Sequence, residues 1–348
     1  MYPEVIVTLS NLNKQSERRS SWPLYLVGAL FAAAILVIAA WNIELPYLAF
    51  SSGPTSDAAD AIVTDGVDVY PPDGELLMLT VVSQDVNIFE ALIAGVDPTI
   101  DLVRREAYRR ADESDEDYRR RVLAQMNDSE TRAITVAIDH LGYEMVPVEV
   151  LITDVVEDKP AAEVLQIGDS VAAVEGIEIS SGAELTAALV GYEVGDVIEM
   201  EIIREGSVQV VSVELAARDN PEDGPMIGII IGELNEPPFP LSIEPGNVGG
   251  PSAGMMHTLA IIDTLTPGEM THGLVVAGTG TIQFDGTVGN IGGIRQKVVG
   301  AEAAGASFIL VPAGNYDEAL TAEYDSIEIV PINDLDEAID FLQNLEAA

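Results

Sequence analysis

Two short segments of this 348-residue chain carry the residue types of a serine nucleophile served by a lysine. In the first, Asn247-Val-Gly-Gly-Pro-Ser-Ala-Gly254 leads into the apolar stretch Met255–Leu265. Glycines followed by Pro and Ser suggest a serine at a helix N-terminus. There, free backbone N–H groups and the positive end of the dipole can stabilise an oxyanion. On that reading Ser252 attacks, the backbone of Ser252, Ala253 and Gly254 holds the oxyanion, and small Ala253 and Gly254 admit a substrate backbone. The same residues describe a plain N-cap serine after a Gly-Pro turn equally well. In the second segment, Gly289-Asn-Ile-Gly-Gly-Ile-Arg-Gln-Lys297, a glycine turn opens another helix. Lys297 is the only lysine after Lys159, and its neighbours at i±3 and i±4 (Gly293, Ile294, Gly300, Ala301) offer no counterion. A lysine takes a proton from serine only as the neutral amine, a form that burial without a carboxylate favours.

Other chemistries find less support. No lysine precedes Ser or Thr, so the phosphate loop of nucleotide hydrolases is missing from these residues. His140, His257 and His272 form no HExxH zinc pattern, and the expectation is of no metal and no cofactor. His257 follows Ser252 by five residues on the same expected helix, roughly 140° round, and reads as a helix-surface or core residue. With no cysteine, disulfides and thiol chemistry are excluded.

The elements that position these residues lie in an acidic chain with an apolar start. The net charge is −42, yet 48% of the residues are hydrophobic, which argues for a folded protein with an acidic surface. That surface disfavours nucleic acid and fits a saline habitat or a solubility strategy. Residues 22–41 carry no charge, are flanked by Trp22 and Trp41, and are long enough to cross a bilayer. Residues 1–21 carry a net +1, whereas residues 42–348 hold 13 basic and 56 acidic groups, a net −43. The positive-inside rule then predicts a signal anchor at the cytoplasmic membrane, with residues 1–21 a cytoplasmic stub and the bulk of the chain extracytoplasmic.

Residues 42–145 read as an extracytoplasmic linker and helical segment: prolines at 46, 54, 71 and 72, a short strand at Leu76–Val82, then helix over 87–142. Asp115–Arg119, Glu116–Arg120 and Asp117–Arg121 form three consecutive i,i+4 pairs, the pattern of a solvated helix face. Residues 146–217 alternate as strands at 148–152, 170–175, 197–204 and 208–214, with a short helix near Ala183–Leu189. Through Pro160-Ala161, Leu165, Gly168-Asp169 and Gly176, this order resembles a PDZ domain of the bacterial protease type. The resemblance implies binding of an extended peptide as an added strand, with Gly142-Tyr143-Glu144-Met145 the candidate for its carboxylate loop.

Residues 225–348 resemble the catalytic domain of the Lon protease family, a Ser-Lys dyad peptidase (S16-like) on an α+β fold. The resemblance rests on Gly250-Pro-Ser-Ala-Gly254, Ala277-Gly-Thr-Gly280, Gly286-Thr-Val-Gly-Asn-Ile-Gly-Gly293 and Lys297. It implies Ser252 as nucleophile, Lys297 as general base and then acid, and Thr279 orienting the amine. Many members have Asp where this chain has Gly249. The order of anchor, PDZ-like domain and Lon-type domain resembles the YlbL-like membrane proteases of bacteria. That implies an ATP-independent, membrane-anchored serine endopeptidase acting on extracytoplasmic or membrane-tethered proteins, working as a homo-oligomeric ring. The alternative is a non-catalytic membrane-anchored PDZ adaptor with a degenerate Lon-like domain.

Overall fold

The computed structural model describes residues 22–110, 113–218, 220, 224–244 and 250–345. The expected cytoplasmic stub and Gly249 lie outside them.

Residues Trp22–Asn42 form one helix, and its Tyr25–Asn42 portion has a mean hydropathy of 2.0, long and apolar enough to cross a membrane. The chain then enters a strand, Glu44–Asp57, which pairs antiparallel with Glu75–Asn87 and with Asp101–Arg104. These three strands continue a parallel set made far along the chain. Val275–Gly278 pairs with Glu75–Met78 on one side and with the strand Phe308–Pro312 on the other. Glu328–Ile332 closes that edge of the six-stranded sheet. The linker and helical segment expected over residues 42–145 is therefore corrected: Glu44–Asp57 and Asp101–Arg104 are strands of this sheet, and the strand expected at Leu76–Val82 extends over Glu75–Asn87. The run Leu76-Leu-Met-Leu79 is continuously apolar because both faces of its strand are covered, as in parallel sheets. Leu76 and Met78 pack with Met255, Met256 and Leu259 on one face, while Leu77 and Leu79 pack with Ile294 and Val298 on the other.

Helix was expected throughout 87–142. The chain instead makes a short helix Ile88–Ala94, the strand Asp101–Arg104, and a long helix Asp115–His140. Asp117–Arg121 is not the pair that forms. Ser114 caps the long helix and its hydroxyl donates to Asp117, turning that carboxylate toward the N-terminus, where Arg120 reaches it at 2.6 Å. Arg121 bonds Glu113 instead, at 2.8 and 2.9 Å.

A second sheet runs Ile229–Glu236, Val146–Val155, Ser170–Val174, Val197–Arg204, Ser207–Glu214, with the helix Gly182–Ala188 beside it. Its strands match the alternation in the sequence, and Val150, Ile152, Ile198, Met200 and Ile202 fill its core. Arg204 binds Asp169 through two contacts of 2.7 and 2.6 Å, and this guanidinium holds the buried carboxyl below its usual range. That ion pair fixes the Gly168-Asp169 turn, where Gly168 has φ +90°. The strand Ile229–Glu236 falls on the far side of the boundary expected near residue 225, yet it pairs along the length of Val146–Val155.

Candidate active site

Ser252 and Lys297 come from opposite faces of the six-stranded sheet. Ser252 sits in a 3-10 turn, Pro251–Ala253, that opens the buried helix Gly254–Leu265. Lys297 lies in the helix Ile294–Ala303, which packs on the other face. They meet because the strand between them stops early. Val275–Gly278 ends where its neighbour Glu75–Asn87 continues, and Thr279 leaves the sheet at that point with its N–H on Leu310 O at 3.0 Å. The gap beside Leu79–Val82 is a cleft of about 400 Å³, lined also by Pro54, Ser252, Ala253, Gly292 and Lys297. Larger hollows occur elsewhere, including one of about 700 Å³ beside Pro237–Pro240, but none of them reaches Ser252.

Lys297 Nζ lies 2.7 Å from Ser252 Oγ and 2.7 Å from Thr279 Oγ1. Thr279 Oγ1 donates in turn to Ser252 O at 3.0 Å. Because that hydroxyl's proton is committed, its lone pairs face the amine and accept an N–H. A second direction on the nitrogen is thereby turned to Ser252. Lys297 is 2% exposed, and burial lowers its pKa from 10.5 to about 7, with no carboxylate paired to it. The plain-cap reading of Ser252 is not what the backbone does, for no side chain caps the helix Gly254–Leu265.

Glycines allow this approach. A Cβ on Gly278 would lie 2.3 Å from Met256 Sδ, so the serine helix could not seat on the strand. Gly293, at φ +69°, starts the lysine helix in a left-handed conformation with Val81 close behind it. Gly292 rests on Tyr108, whose ring packs on Phe50 at 4.7 Å between centroids. Arg295 ties the same helix to Asp101 and to Pro98 O. The lysine turn is thus held by residues from the N-terminal third of the chain.

Gly254 plays a different part from the one expected. Its N–H closes the turn on Pro251 O, and a Cβ there would lie 2.8 Å from Ser129 Oγ and 3.1 Å from Ile282 N. Its small size admits the long helix rather than a substrate, and Ser129 donates to Pro251 O at 3.1 Å across that contact. Leu79–Val82, Pro54, Tyr108 and Ser129 were not read as site residues from sequence. The unbroken apolar run at Leu76–Leu79 was the available sign, since it marks a central strand.

His257 is a core residue, 4% exposed, and burial lowers its pKa to about 4. Among the described residues no group of three metal-binding side chains comes together. Gly142-Tyr143-Glu144-Met145 joins the long helix to the strand Val146–Val155. Gly142, at φ +75°, ends the long helix, and Tyr143 packs edge-on against Phe239 at 5.2 Å. The helix Gly182–Ala188 packs closely on the strand Ile229–Glu236, where Gly182 N donates to Glu233 Oε1 at 2.6 Å.

Two segments of the chain match families of known proteins. Residues 244–344 match the Lon protease (S16) C-terminal proteolytic domain, and residues 122–215 match the PDZ domain. The chain is 40% identical over 93 residues to Lon protease 1 of Sorangium cellulosum and 35% identical over 94 residues to the Lon protease of Campylobacter concisus. Each match covers 26% of this chain and 11% of the relative, so the chain spans about a tenth of the length of the curated relatives it matches. The PDZ domain of an SdrC-like protein from Listeria monocytogenes is 28% identical over 24% of this chain and 85% of that one, with a TM-score of 0.23. The chain therefore carries a Lon-type proteolytic domain and a PDZ domain in an α+β architecture, which supports a protease-like role.

Proposed function

We propose that the protein is an ATP-independent serine endopeptidase, anchored in the cytoplasmic membrane by residues 22–42, that cuts extracytoplasmic or membrane-tethered proteins. The observation that carries this reading is the buried Lys297 amine, 2.7 Å from Ser252 Oγ, with its pKa lowered to about 7. When the amine is neutral, Ser252 Oγ–H donates to it, and Oγ attacks a peptide carbonyl as Nζ takes the proton. The ammonium returns that proton to the leaving amine, freeing the first product and leaving an acyl-enzyme. Water then repeats the sequence and releases the second product. Thr279 aims the amine. The backbone N–H groups of Ser252 and Ala253 are the proposed oxyanion donors, Gly254 being engaged with Pro251 O. No described strand pairs with Leu79–Val82 on the cleft side, so a substrate segment would be held there as an added strand.

The proteolytic domain on this reading is assembled from residues 44–140 together with 241–345, and the PDZ-like domain, residues 146–236, is inserted between them. The inserted domain would present flexible substrates, and the assembly would be a homo-oligomer. The adaptor alternative gives no reason to bury an unpaired lysine, which destabilises a fold. Cleavage of casein by the full-length protein, beside Ser252→Ala and Lys297→Ala, tests the assignment. Both variants should be inactive, and equal activity in all three would refute the dyad.

A further inference from the structure

Where the apolar helix ends, the chain displays a second apolar surface. The segment Ile88-Phe-Glu-Ala-Leu-Ile-Ala-Gly-Val96 follows the long central strand and forms the short helix Ile88–Ala94. Leu92, Ile93 and Val96 are 66%, 61% and 83% exposed. The segment's one ionisable group, Glu90, is turned back into the helix cap, accepting from Asn87 N at 2.8 Å. Trp41, on the last turn of the apolar helix, packs on Phe89 with ring centroids 5.9 Å apart, and Ile43 just beyond it is exposed as well. That contact sets the short helix level with the end of the apolar span, the height at which tryptophan marks a membrane interface. Apolar side chains presented at that height enter the boundary between headgroups and acyl chains. Grouped in one short segment beside the anchor, these side chains form a contiguous apolar patch of the kind that marks a membrane or protein contact.

We infer that Leu92, Ile93 and Val96 insert into the lipid surface beside the span, a second membrane contact that fixes the protein on the bilayer. The inference rests on the anchor reading of residues 22–42. Two points of contact, the span and this helix, hold the sheet carrying the cleft at one height and tilt.

The chain has no cysteine, so single positions can be labelled without other changes. Leu92→Cys, Val96→Cys, Leu30→Cys and Val208→Cys would each carry an environment-sensitive nitrobenzoxadiazole group in the full chain, reconstituted into phosphatidylcholine–phosphatidylglycerol vesicles. Val208, 66% exposed on the second sheet, matches Leu92 in exposure but lies away from the span. Probes at 92 and 96 should be blue-shifted and quenched by nitroxide-labelled lipid, with position 30 quenched by deeper nitroxides and position 208 by none. If position 30 is quenched while 92 and 96 behave as 208 does, the surface contact is wrong and the anchor stands. If 92 and 96 are shielded from aqueous iodide yet unquenched by lipid nitroxide, a protein such as a second copy covers the patch, and the inference is overturned. If position 30 itself is unquenched, the anchor reading fails, and the inference with it.

Discussion

If Lys297 is the general base, the rate of peptide cleavage should follow the titration of its amine. Burial lowers the pKa to about 7, and the ammonium form cannot accept the serine proton. The neutral fraction is then roughly 9% at pH 6 and roughly 91% at pH 8. Across those two units kcat/KM should rise about tenfold and then level off. An amine left near its usual value of about 10.4 would give a different curve: about a hundredfold rise over the same interval, with no plateau below pH 10. The shape of the profile separates the two cases, because it depends on the titration and not on the absolute rate. The assay is cleavage of a fluorogenic peptide by the full-length protein in detergent at fixed ionic strength from pH 5.5 to 9.5. The peptide should be free of ionisable groups in that range. A log-linear rise through pH 9 would refute the claim that the fold holds this lysine neutral. A half-point between about 6 and 8 would support it.

Further outcomes follow from the same geometry. Thr279→Val removes the hydroxyl that accepts from Lys297 and donates to Ser252 O, and kcat/KM should fall about tenfold or more, with Thr279→Ser recovering most of the loss. Lys297→Met should alter the pH dependence of stability. Between about pH 7 and 10 the unfolded lysine holds a proton that the folded one does not, so wild-type stability rises with pH by about 1.4 kcal/mol per unit. The methionine variant lacks this slope and should gain most over wild type near pH 7; thermal melts at pH 7 and 9.5 that shift in parallel would contradict it. Activity should rise between 0.1 and 2 M NaCl, since salt screens the surface carboxylates that favour the charged amine. A fall over that range would count against this account of the base.

Much of the second sheet could be read from its sequence. Its strands alternate with period two, and its turns are marked by Gly168-Asp169 and Gly176, so local pattern and final structure coincide. The strand Ile229–Glu236 escaped because its partner, Val146–Val155, is distant in the chain and a run of isoleucines does not say which sheet it joins. Residues 44–72 escaped for a related reason. Their prolines suggested a linker, whereas Pro54 sits at an irregularity in the strand Glu44–Asp57, where pairing with Glu75–Asn87 shifts register. Arg121 shows the limit of pair rules on a helix. The i,i+4 partner was present, but Asp117 was held by the cap and Glu113 offered the closer carboxylate.

By itself the sequence determined the chemistry on offer: one late lysine, a serine in a glycine-proline turn, a threonine between glycines, no thiol, and one uncharged span near the N-terminus. Those are properties of residue types and short spacing, which the chain carries whether folded or not. Only the tertiary structure decided that the lysine's pKa is lowered and that it reaches the serine. Both depend on burial and on strand pairing between segments as remote as Glu75 and Val275. Desolvation belongs to a place rather than to a residue, and that place forms only when the strand Val275–Gly278 ends between two longer neighbours and lets helices from opposite faces meet.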